Sequence, residues 1–298
     1  MPNSSDTVIR VPATSANLGP GYDCLGLAVD LWLTVRARLA PGDRFDYSGE
    51  GQLPDTPHNL THQGFALACR EAGREAPPVA FTVSNPIPLA RGLGSSSAAL
   101  VAGAVAADEL LALGLGQDGV FQVCARAEGH PDNVAPAVYG GFAVAAQQDG
   151  RWHARACELP EGWRFLFAVP AVELPTVTAR KAVPESFARA DVISSSARTA
   201  LWALAVAQGD GPLLDVATRD VLHQPYREPL LPGFAAAMED ARAAGAWGTF
   251  LSGAGPTLAA ICAAETVAPV TAALEGYGTV LALDRAGGYE VSAPPAAP

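Results

Sequence analysis

The chain has 298 residues, more than one ordinary hydrophobic core holds, and this length predicts two domains. Hydrophobic residues make up 49% of the chain and charged residues 16%, a balance that excludes an intrinsically disordered protein. The net charge of −11 leaves no broad basic face, so we expect no nucleic-acid partner.

The first half of the chain mixes strands and helices without a regular βαβ rhythm. Apolar, partly alternating residues predict strands over 8–11 and 27–39, separated by the turn-rich stretch TSANLGPGYDC. Residues 59–73 have helical periodicity, with an asparagine cap and a glycine stop. We further expect strands over 80–85 and 140–147, and helices over 96–113 and 117–128.

In the second half, the stretch RFLFAVP predicts a strand over 164–170, near which the composition changes. Helices are expected over 191–208 and 233–244, and GTFLSGAGPTLAAIC reads as a strand, a glycine loop and a second strand. The final GGYEVSAPPAAP predicts a short strand and a loose tail. These elements indicate an α+β fold in two domains with a boundary near 150–165.

The cysteines and the N-terminal residues indicate the compartment. The five cysteines are an odd number without a CxxC pair, which fits neither a disulfide framework nor a zinc site: Cys24, Cys69, Cys124, Cys157 and Cys262. The stretch MPNSSDTVIR lacks the apolar segment of a signal peptide, and the apolar run 98–107 is too short to span a bilayer. We therefore expect a cytoplasmic protein without membrane contact.

The stretch PIPLARGLGSSSA, residues 86–98, has the composition of an anion-binding loop. Gly92 and Gly94 permit unusual backbone angles and close approach of a ligand, and three serines follow at the start of a predicted helix. Because a helix start offers unpaired N–H groups and a partial positive charge, the loop suits a polyphosphate. An ordinary strand–turn–helix with a serine cap is the alternative. The loop lacks the Lys-Ser/Thr ending of a Walker A motif, and Ser97 stands where a dinucleotide loop has its third glycine.

Two further glycine-bearing stretches are weak signals when taken alone. VPATSANLGPGYDCLGLAVDL (11–31) places Asn17 and Asp23 around a tight turn, which could equally be a surface turn. LSGAGPTLAAIC (251–262) puts small residues between apolar runs, a pattern typical of a loop on which another backbone or a phosphate packs.

Together, the three stretches strongly resemble the GHMP kinase superfamily and, in their details, its homoserine kinase branch. EGHPDNVAPAVYGG (128–141) and HQPYREPLLPGF (223–234) carry the likeness to that branch, and the resemblance covers nearly the whole chain. It implies an N-terminal domain over 1–160 with the fold of ribosomal S5 domain 2, and a ferredoxin-like C-terminal domain over 161–298. It also implies ATP and L-homoserine in the cleft between them, with phosphoryl transfer as a step towards threonine.

The resemblance also implies how ATP and Mg²⁺ are held. The backbone of the loop would bind the triphosphate, with Gly253 beside it, through these residues: Pro88, Leu89, Ala90, Arg91, Gly92, Leu93, Gly94, Ser95, Ser96, Ser97 and Ala98. Ser96 and Glu128 would hold the metal, the alternative for Glu128 being a helix-end carboxylate near Arg126. Arg91 is either a phosphate ligand or a solvated loop charge. Asn59 is either an adenine contact or a plain helix cap.

For the amino-acid substrate, Arg180 and Arg227 match the arginines that bind the substrate carboxylate in homoserine kinases. Asn17 with Asp23 is one candidate pair for the ammonium group, and Asp132 is another. We also place His130 in the substrate site, although a histidine in this position is often structural. Two roles stay open for Asp132: the base that removes the hydroxyl proton, or a substrate anchor beside Asn133, which would orient the hydroxyl.

The sequence departs from the usual homoserine kinase pattern at DVISSSARTALWALA (191–205). Ser195 stands where asparagine is usual, while Arg198 is retained, and we expect a local change in packing. Two other functions stay open at this point: phosphorylation of another alcohol, such as mevalonate or a sugar, and ligand sensing by a catalytically silent relative. Homoserine kinases are often dimers, so the resemblance leaves a homodimer open.

Overall fold

A computed structural model describes residues 6–54 and 57–293. These residues form eleven strands: β1 (Thr7–Ala16), β2 (Leu25–Leu39), β3 (Arg44–Gly49), β4 (Val79–Asn85), β5 (Phe142–Gln148), β6 (Arg151–Cys157), β7 (Trp163–Val169), β8 (Gly248–Leu251), β9 (Leu258–Ala263), β10 (Thr279–Leu283) and β11 (Glu290–Ser292). They also form ten α-helices: α1 (Leu60–Glu71), α2 (Ser95–Leu111), α3 (Gly116–Glu128), α4 (Val134–Tyr139), α5 (Thr176–Lys181), α6 (Arg189–Gln208), α7 (Leu214–Ala217), α8 (Gln224–Arg227), α9 (Phe234–Ala243) and α10 (Val267–Leu274). No helix in the described ranges is both long enough and apolar enough to cross a membrane.

The first sheet has seven strands and belongs mostly to the N-terminal half of the chain. Its main path is β11-β1-β2-β4-β3, and the β5–β6 hairpin joins the start of β2, where Leu25 pairs with Val144. Helices α1 and α2 pack against each other beside this sheet. Helix α2 is almost entirely buried along its apolar run, because alanine and valine fill most of its positions up to residue 107.

The second sheet has four antiparallel strands in the order β10-β7-β9-β8. With helices between β7 and β8 and between β9 and β10, this order is that of a ferredoxin-like unit. Side chains alternate along β7: Phe165 and Phe167 enter the large core shared with the N-terminal sheet, while Leu166 and Ala168 pack with α9 and α10. The second sheet is therefore covered on both faces, and one of its faces joins it to the first domain.

The elements expected from the sequence are present, and most of their ends differ by only one or two residues. The largest difference is β1, which continues to Ala16 rather than ending at residue 11, because residues 13–16 keep pairing with β2 beyond a register shift. The sequence does not predict strands β3, β6 and β10. Most residues of β3 and β6 are polar or exposed, and β10 has only five residues. Residues 294–298 of the expected loose tail lie outside the described residues.

The last strand crosses the expected domain boundary. Strand β11 pairs antiparallel with β1, so that Ile9 lies opposite Val291. The backbone of Gly140 also bridges to Gly287. The segment after β10 thus returns to the N-terminal sheet, while the division at residues 160 and 161 stays a prediction.

Candidate active site

Three loops that are far apart in the sequence meet between the two sheets. The turn after β1, the loop before α2 and the loop between β8 and β9 are joined by hydrogen bonds. The Ser252 hydroxyl donates to the carbonyl of Gly92 at 2.6 Å and lies 2.7 Å from the Ser15 hydroxyl. The backbone N–H of Gly253 donates to the carbonyl of Ala16 at 3.0 Å. The three glycine-bearing stretches therefore form one floor.

The loop before α2 needs its two glycines for space as well as for backbone angles. Gly92 has φ 75°, and a Cβ there would lie 2.1 Å from the carbonyl oxygen of Ser252. Gly94 has φ 70°, and a Cβ there would lie 2.0 Å from the Thr14 hydroxyl. The positive φ values and the close contacts both require glycine at positions 92 and 94. With glycine there, the loop packs against the neighbouring loops and directs the start of α2 towards the space between the domains.

Above this floor lies a cleft of about 450 Å³. It brings together most of the residues singled out in the sequence, along with five that were not (Leu53, Leu174, Thr176, Ala254 and Gly255): its lining comprises Asn17, Leu53, Pro88, Leu89, Ala90, Arg91, Gly92, Leu93, Gly94, Ser95, Ser96, Glu128, His130, Asp132, Asn133, Leu174, Thr176, Arg180, Arg227, Gly253, Ala254 and Gly255. Of the other candidates, Asp23 lies beside the cleft near Asp132, while Ser97 and Ala98 are buried under it and Asn59 lines a neighbouring pocket.

A chain of polar groups crosses the cleft from α2 to the start of α4. The Ser97 hydroxyl lies 2.7 Å from both carboxylate oxygens of Glu128, and His130 Nδ1 lies 3.9 Å from Glu128. His130 Nδ1 is 2.8 Å from Asp132 Oδ1, which also accepts the backbone N–H of Asn133. Helix α3 ends at Glu128, which lines the same cleft as three residues of the following HPDN segment, His130, Asp132 and Asn133.

Burial and the contacts along this chain together leave the pKa values of both Glu128 and His130 raised. Burial raises the pKa of Glu128, and the nearby His130 and the Ser97 hydroxyl only partly offset this. Burial alone lowers the pKa of His130, but the hydrogen bond and charge of Asp132 outweigh it, so that this pKa is raised. A buried carboxylate with a raised pKa is one that a cation would stabilise in its charged form.

Glu128 is the last residue of α3, as its alternative role required, but Arg126 is not its partner. Arg126 forms its ion pair with Glu71 of α1 at 2.7 Å, on the exposed side of α3. Glu128 instead faces the cleft and contacts Ser97.

The two arginines predicted for the substrate flank one tyrosine. The guanidinium carbons of Arg180 and Arg227 lie 5.7 Å and 5.3 Å from the ring centre of Tyr22. Arg180 forms a bidentate ion pair with Asp23, at 2.6 Å and 3.0 Å. Tyr22 itself stacks on His223 with a centre distance of 5.1 Å. Cation–π contacts of this kind hold both guanidinium groups towards one side of the cleft.

Arg227 is only 1% exposed, and backbone carbonyls accept hydrogen bonds from its guanidinium group. Its Nε donates to the carbonyl of Ala179, and its Nη1 donates to the carbonyl of Gly253. Nη1 also lies 3.0 Å from Nδ1 of His223, whose Nε2 is 2.8 Å from the carbonyl of Gly19. Because arginine can only donate, His223 Nδ1 must be the acceptor, and we assign the neutral tautomer with the proton on Nε2.

His223 is fully buried, and burial lowers its pKa despite the carboxylate of Asp220 at 3.4 Å. We expect the protein to lose up to about 1.4 kcal/mol of stability per pH unit through this residue as the pH falls below about 6.5, because the unfolded chain binds a proton that the folded chain refuses. His223→Asn keeps an acceptor for Arg227 without that proton site. Denaturant unfolding of both proteins across the pH range should therefore give a flatter dependence for the variant, and parallel curves would contradict this assignment.

Helix α6 fixes the turn at residues 17–23 from the second domain. Three of its side chains donate to carbonyls of the turn: Trp202 to Leu18, and Ser195 and Thr199 to Pro20. Ser195, which replaces the usual asparagine, is thus a buried contact between the domains. Arg198 lies outside the cleft and donates to the carbonyl of Arg219.

Two candidates for ATP binding have other partners. The Arg91 guanidinium donates to the carbonyls of Leu89, Pro170 and Ala171, which fastens the glycine loop to the segment after β7. Arg91 is buried and fixes the loop, so it is not a solvated charge, and its role as a phosphate ligand stays a prediction. Asn59 caps α1 by accepting the backbone N–H of His62 and also lines an apolar pocket of about 230 Å³.

Sequence reasoning missed several residues of the site. Tyr22 lies inside the quoted turn, directly before Asp23, and His223 opens the quoted HQPYR stretch, four residues before Arg227, so both had a signal in their position. Thr176 lines the cleft at the start of α5 and had no signal of its own. The contact of the Ser97 hydroxyl with Glu128 had no signal in the sequence, and the place of Ser97 among the phosphate-binding residues stays a prediction.

The two domains and the cleft between them define the class of protein, that of the GHMP kinases. The model of the GHMP kinases N terminal domain matches residues 59–141, and that of the C-terminal domain matches residues 201–278. A mevalonate kinase of L. major in complex with R-mevalonate has a TM-score of 0.71, covering 100% of this chain and 99% of that one, but only 16% identity, which shows the fold alone.

Three relatives with higher identity are homoserine kinases. A homoserine kinase of Thermus thermophilus is 52% identical over 94% of this chain and 97% of that protein. One of Deinococcus radiodurans is 45% identical over 84% of this chain and 82% of that protein. A crystal structure of homoserine kinase from Cytophaga hutchinsonii has a TM-score of 0.86 at 26% identity, covering 97% and 98% of the two chains. Within the GHMP kinases, this chain belongs to the homoserine kinase family.

Proposed function

We propose that the protein transfers the γ-phosphoryl group of ATP to the side-chain hydroxyl of L-homoserine, giving O-phospho-L-homoserine for threonine biosynthesis. The observation that carries this proposal is the cleft itself. The loop at the start of α2 and the two arginines beside Tyr22, Arg180 and Arg227, line the same cavity. A polyphosphate fits the first and an amino-acid carboxylate fits the second.

ATP would occupy the cradle and the apolar pocket beside it. The pocket is lined by Val83, Leu60 and Ala99 together with the Asn59 side chain. Leu89 and Ser95 line both the pocket and the cleft, so the two cavities adjoin at the glycine loop. A purine in the pocket would therefore leave its phosphates at the N–H groups of the loop and the first turn of α2.

Mg²⁺ would be held by Ser96 and Glu128. The Ser96 hydroxyl is exposed in the first turn of α2, and the Glu128 carboxylate lines the same cleft. A hydroxyl and a carboxylate are hard oxygen ligands, which suit Mg²⁺. The metal would neutralise the charge of the phosphate oxygens.

Ser97→Ala is expected to raise the Mg²⁺ concentration needed for half-maximal activity by about 10- to 100-fold, since the hydroxyl orients the carboxylate of Glu128. Titration of activity against free Mg²⁺ measures this. Ser96→Ala is the companion variant, with a loss at least as large. An unchanged Mg²⁺ requirement in Ser97→Ala would show that the contact orients nothing.

For the substrate, the clustered polar groups match the charges of a zwitterion. Arg227 Nη2 faces the Tyr22 hydroxyl at 3.5 Å and is the guanidinium nitrogen with capacity for a carboxylate. The acidic groups Asp23 and Asp132 lie close together beside His130. One carboxylate oxygen of each and one ring nitrogen of His130 lie within 4.8 Å of one another. The carboxylate oxygens of Asp23 and Asp132 can accept hydrogen bonds from an ammonium group.

The hydroxyl would meet Asp132 and Asn133. Asp132 is 2% exposed and lines the cleft, and its Oδ1 is taken by His130 and the backbone of Asn133. Thr14 donates its hydroxyl to Asn133 Oδ1, which fixes the amide with its NH₂ free to orient a substrate oxygen. Since phosphoryl transfer through a loose transition state needs little help from a base, positioning by these two residues suffices, and Asp132 can serve as an anchor.

The test is ADP formation from Mg-ATP with L-homoserine, D-homoserine, L-serine, mevalonate and galactose as acceptors. Turnover with L-homoserine alone supports the proposal. Turnover with mevalonate or galactose instead would keep the kinase and overturn the substrate. ATP binding without turnover on any acceptor would point to a silent ligand sensor.

Assembly and location are also proposals. We propose a homodimer, tested by light scattering after size-exclusion chromatography. We propose a cytoplasmic location, supported by five free cysteines, four of them buried or half-buried. Cell fractionation tests it.

A further inference from the structure

The charged pair beside the substrate cleft has the charges of the proposed substrate. Asp23 offers a carboxylate and Arg180 a cation, joined by two hydrogen bonds of 2.6 Å and 3.0 Å. An amino acid also presents one carboxylate and one cation, two bonds apart. Asp23 therefore occupies the place beside Arg180 that the carboxylate of a bound zwitterion would take, and Arg180 occupies the place beside Asp23 that its ammonium would take.

The pair is accessible enough to open. The side chain of Arg180 is 35% exposed and that of Asp23 is 32% exposed. Water reaches both side chains, so either charge can be solvated while the partners exchange. By contrast, Arg227 is buried and fastened to Ala179 and Gly253, so it stays in place while Arg180 changes partner.

Opening the pair without replacing the cation is unfavourable for Asp23. Its carboxylate lies within 4.8 Å of a carboxylate oxygen of Asp132 and of a ring nitrogen of His130, and Asp132 is buried. Without Arg180, Asp23 would face Asp132 and an incoming ligand carboxylate with no positive group of its own. Like charges at this separation repel each other in a half-buried site.

We propose that the Asp23–Arg180 ion pair is an internal stand-in for the amino-acid substrate, and that L-homoserine binds by exchanging partners with it. The substrate carboxylate takes Arg180 while the substrate ammonium takes Asp23. This inference rests on the proposed function and adds to it the basis of selection. A ligand with a carboxylate alone leaves Asp23 unpaired, and a ligand with an ammonium alone leaves Arg180 unpaired, so only a zwitterion restores both pairs.

Asp23→Asn is a clean variant for testing the exchange. Asp23 has φ 54°, a left-handed conformation that asparagine adopts as readily as aspartate. Its backbone N–H bond to Asn17 Oδ1 does not involve the side chain. Asp46→Asn is the matched control, because Asp46 is exposed on β3, lies outside the cleft lining and undergoes the same change of charge.

The experiment measures binding by calorimetry and kcat/KM with two truncated substrates beside L-homoserine. 4-Hydroxybutanoate lacks the ammonium group, and 3-aminopropan-1-ol lacks the carboxylate. In Asp23→Asn we expect L-homoserine to bind about 10- to 100-fold more weakly, because its ammonium loses a charged acceptor. We expect 4-hydroxybutanoate to bind about tenfold more tightly than to the unaltered protein, because Arg180 is then free and no carboxylate repels the ligand.

The deciding result is that Asp23→Asn weakens the binding of L-homoserine and strengthens the binding of 4-hydroxybutanoate. If Asp23→Asn leaves 4-hydroxybutanoate binding unchanged or weakens it together with L-homoserine, Asp23 supports the site without exchanging partners, and the inference is overturned. If the unaltered protein turns over no L-homoserine and does not bind it, the proposed function fails first and the exchange fails with it.

A measurement on the unaltered protein covers the case in which the variant does not fold. Acetate and 3-aminopropan-1-ol each supply one of the two charges, so each should strengthen the binding of the other. Independent binding of the two would overturn the exchange without any substitution.

Discussion

Replacing Arg227 with alanine is expected to lower kcat/KM for L-homoserine by about 100-fold or more, with little change in the KM for ATP. The expected loss exceeds that of an ordinary hydrogen bond because the guanidinium is 1% exposed and would bind the substrate carboxylate away from water. Arg227 also holds the carbonyl of Ala179, the residue before Arg180, so its removal loosens both arginines of the site. Steady-state kinetics with each substrate varied in turn measures the effect.

Arg227→Lys separates charge from geometry. Lysine keeps the positive charge but cannot hold the carbonyls of Ala179 and Gly253 while it binds a carboxylate, so most of the loss should remain. The control is Arg219→Ala, which removes an exposed arginine paired with Asp215. Thermal unfolding shows whether each variant is folded at the assay temperature. Nearly full activity in folded Arg227→Ala would mean that the carboxylate binds elsewhere.

Glu128→Gln is expected to lower kcat by about 100- to 1000-fold at a fixed low Mg²⁺ concentration, with partial recovery as Mg²⁺ is raised. Glutamine has the shape of glutamate and can still meet the Ser97 hydroxyl, so the change removes mainly a negative charge. Burial already raises the pKa of this carboxyl group, and a bound cation is what would keep it charged at neutral pH. Activity as a function of free Mg²⁺ measures the effect.

Glu71→Gln is the matched control for that experiment. It makes the same chemical change at the exposed partner of Arg126 and should leave the Mg²⁺ dependence as it was. A Glu128→Gln enzyme with normal kcat and normal Mg²⁺ dependence would remove Glu128 from the metal site.

The sequence was most informative where the local chain dictates its own conformation. The glycine loop before α2 and the turn after β1 need positive φ values that few residues adopt, so their composition marks them without tertiary information. Helix α1 was equally readable from its Asn59 cap and its periodicity. Short polar strands such as β3 carry no such signal, because they are set by pairing with β4 and not by their own residues.

By itself, the sequence determined the fold class, the family and the residue types that the chemistry needs. The tertiary structure alone decided their partners. Ser97 could have capped its helix but lies against Glu128, 31 residues away, and Asp23 meets Arg180 across 157 residues. Such contacts, within a domain for Ser97 and between domains for Asp23, depend on how distant segments pack together, and no local propensity encodes which donor will face which acceptor.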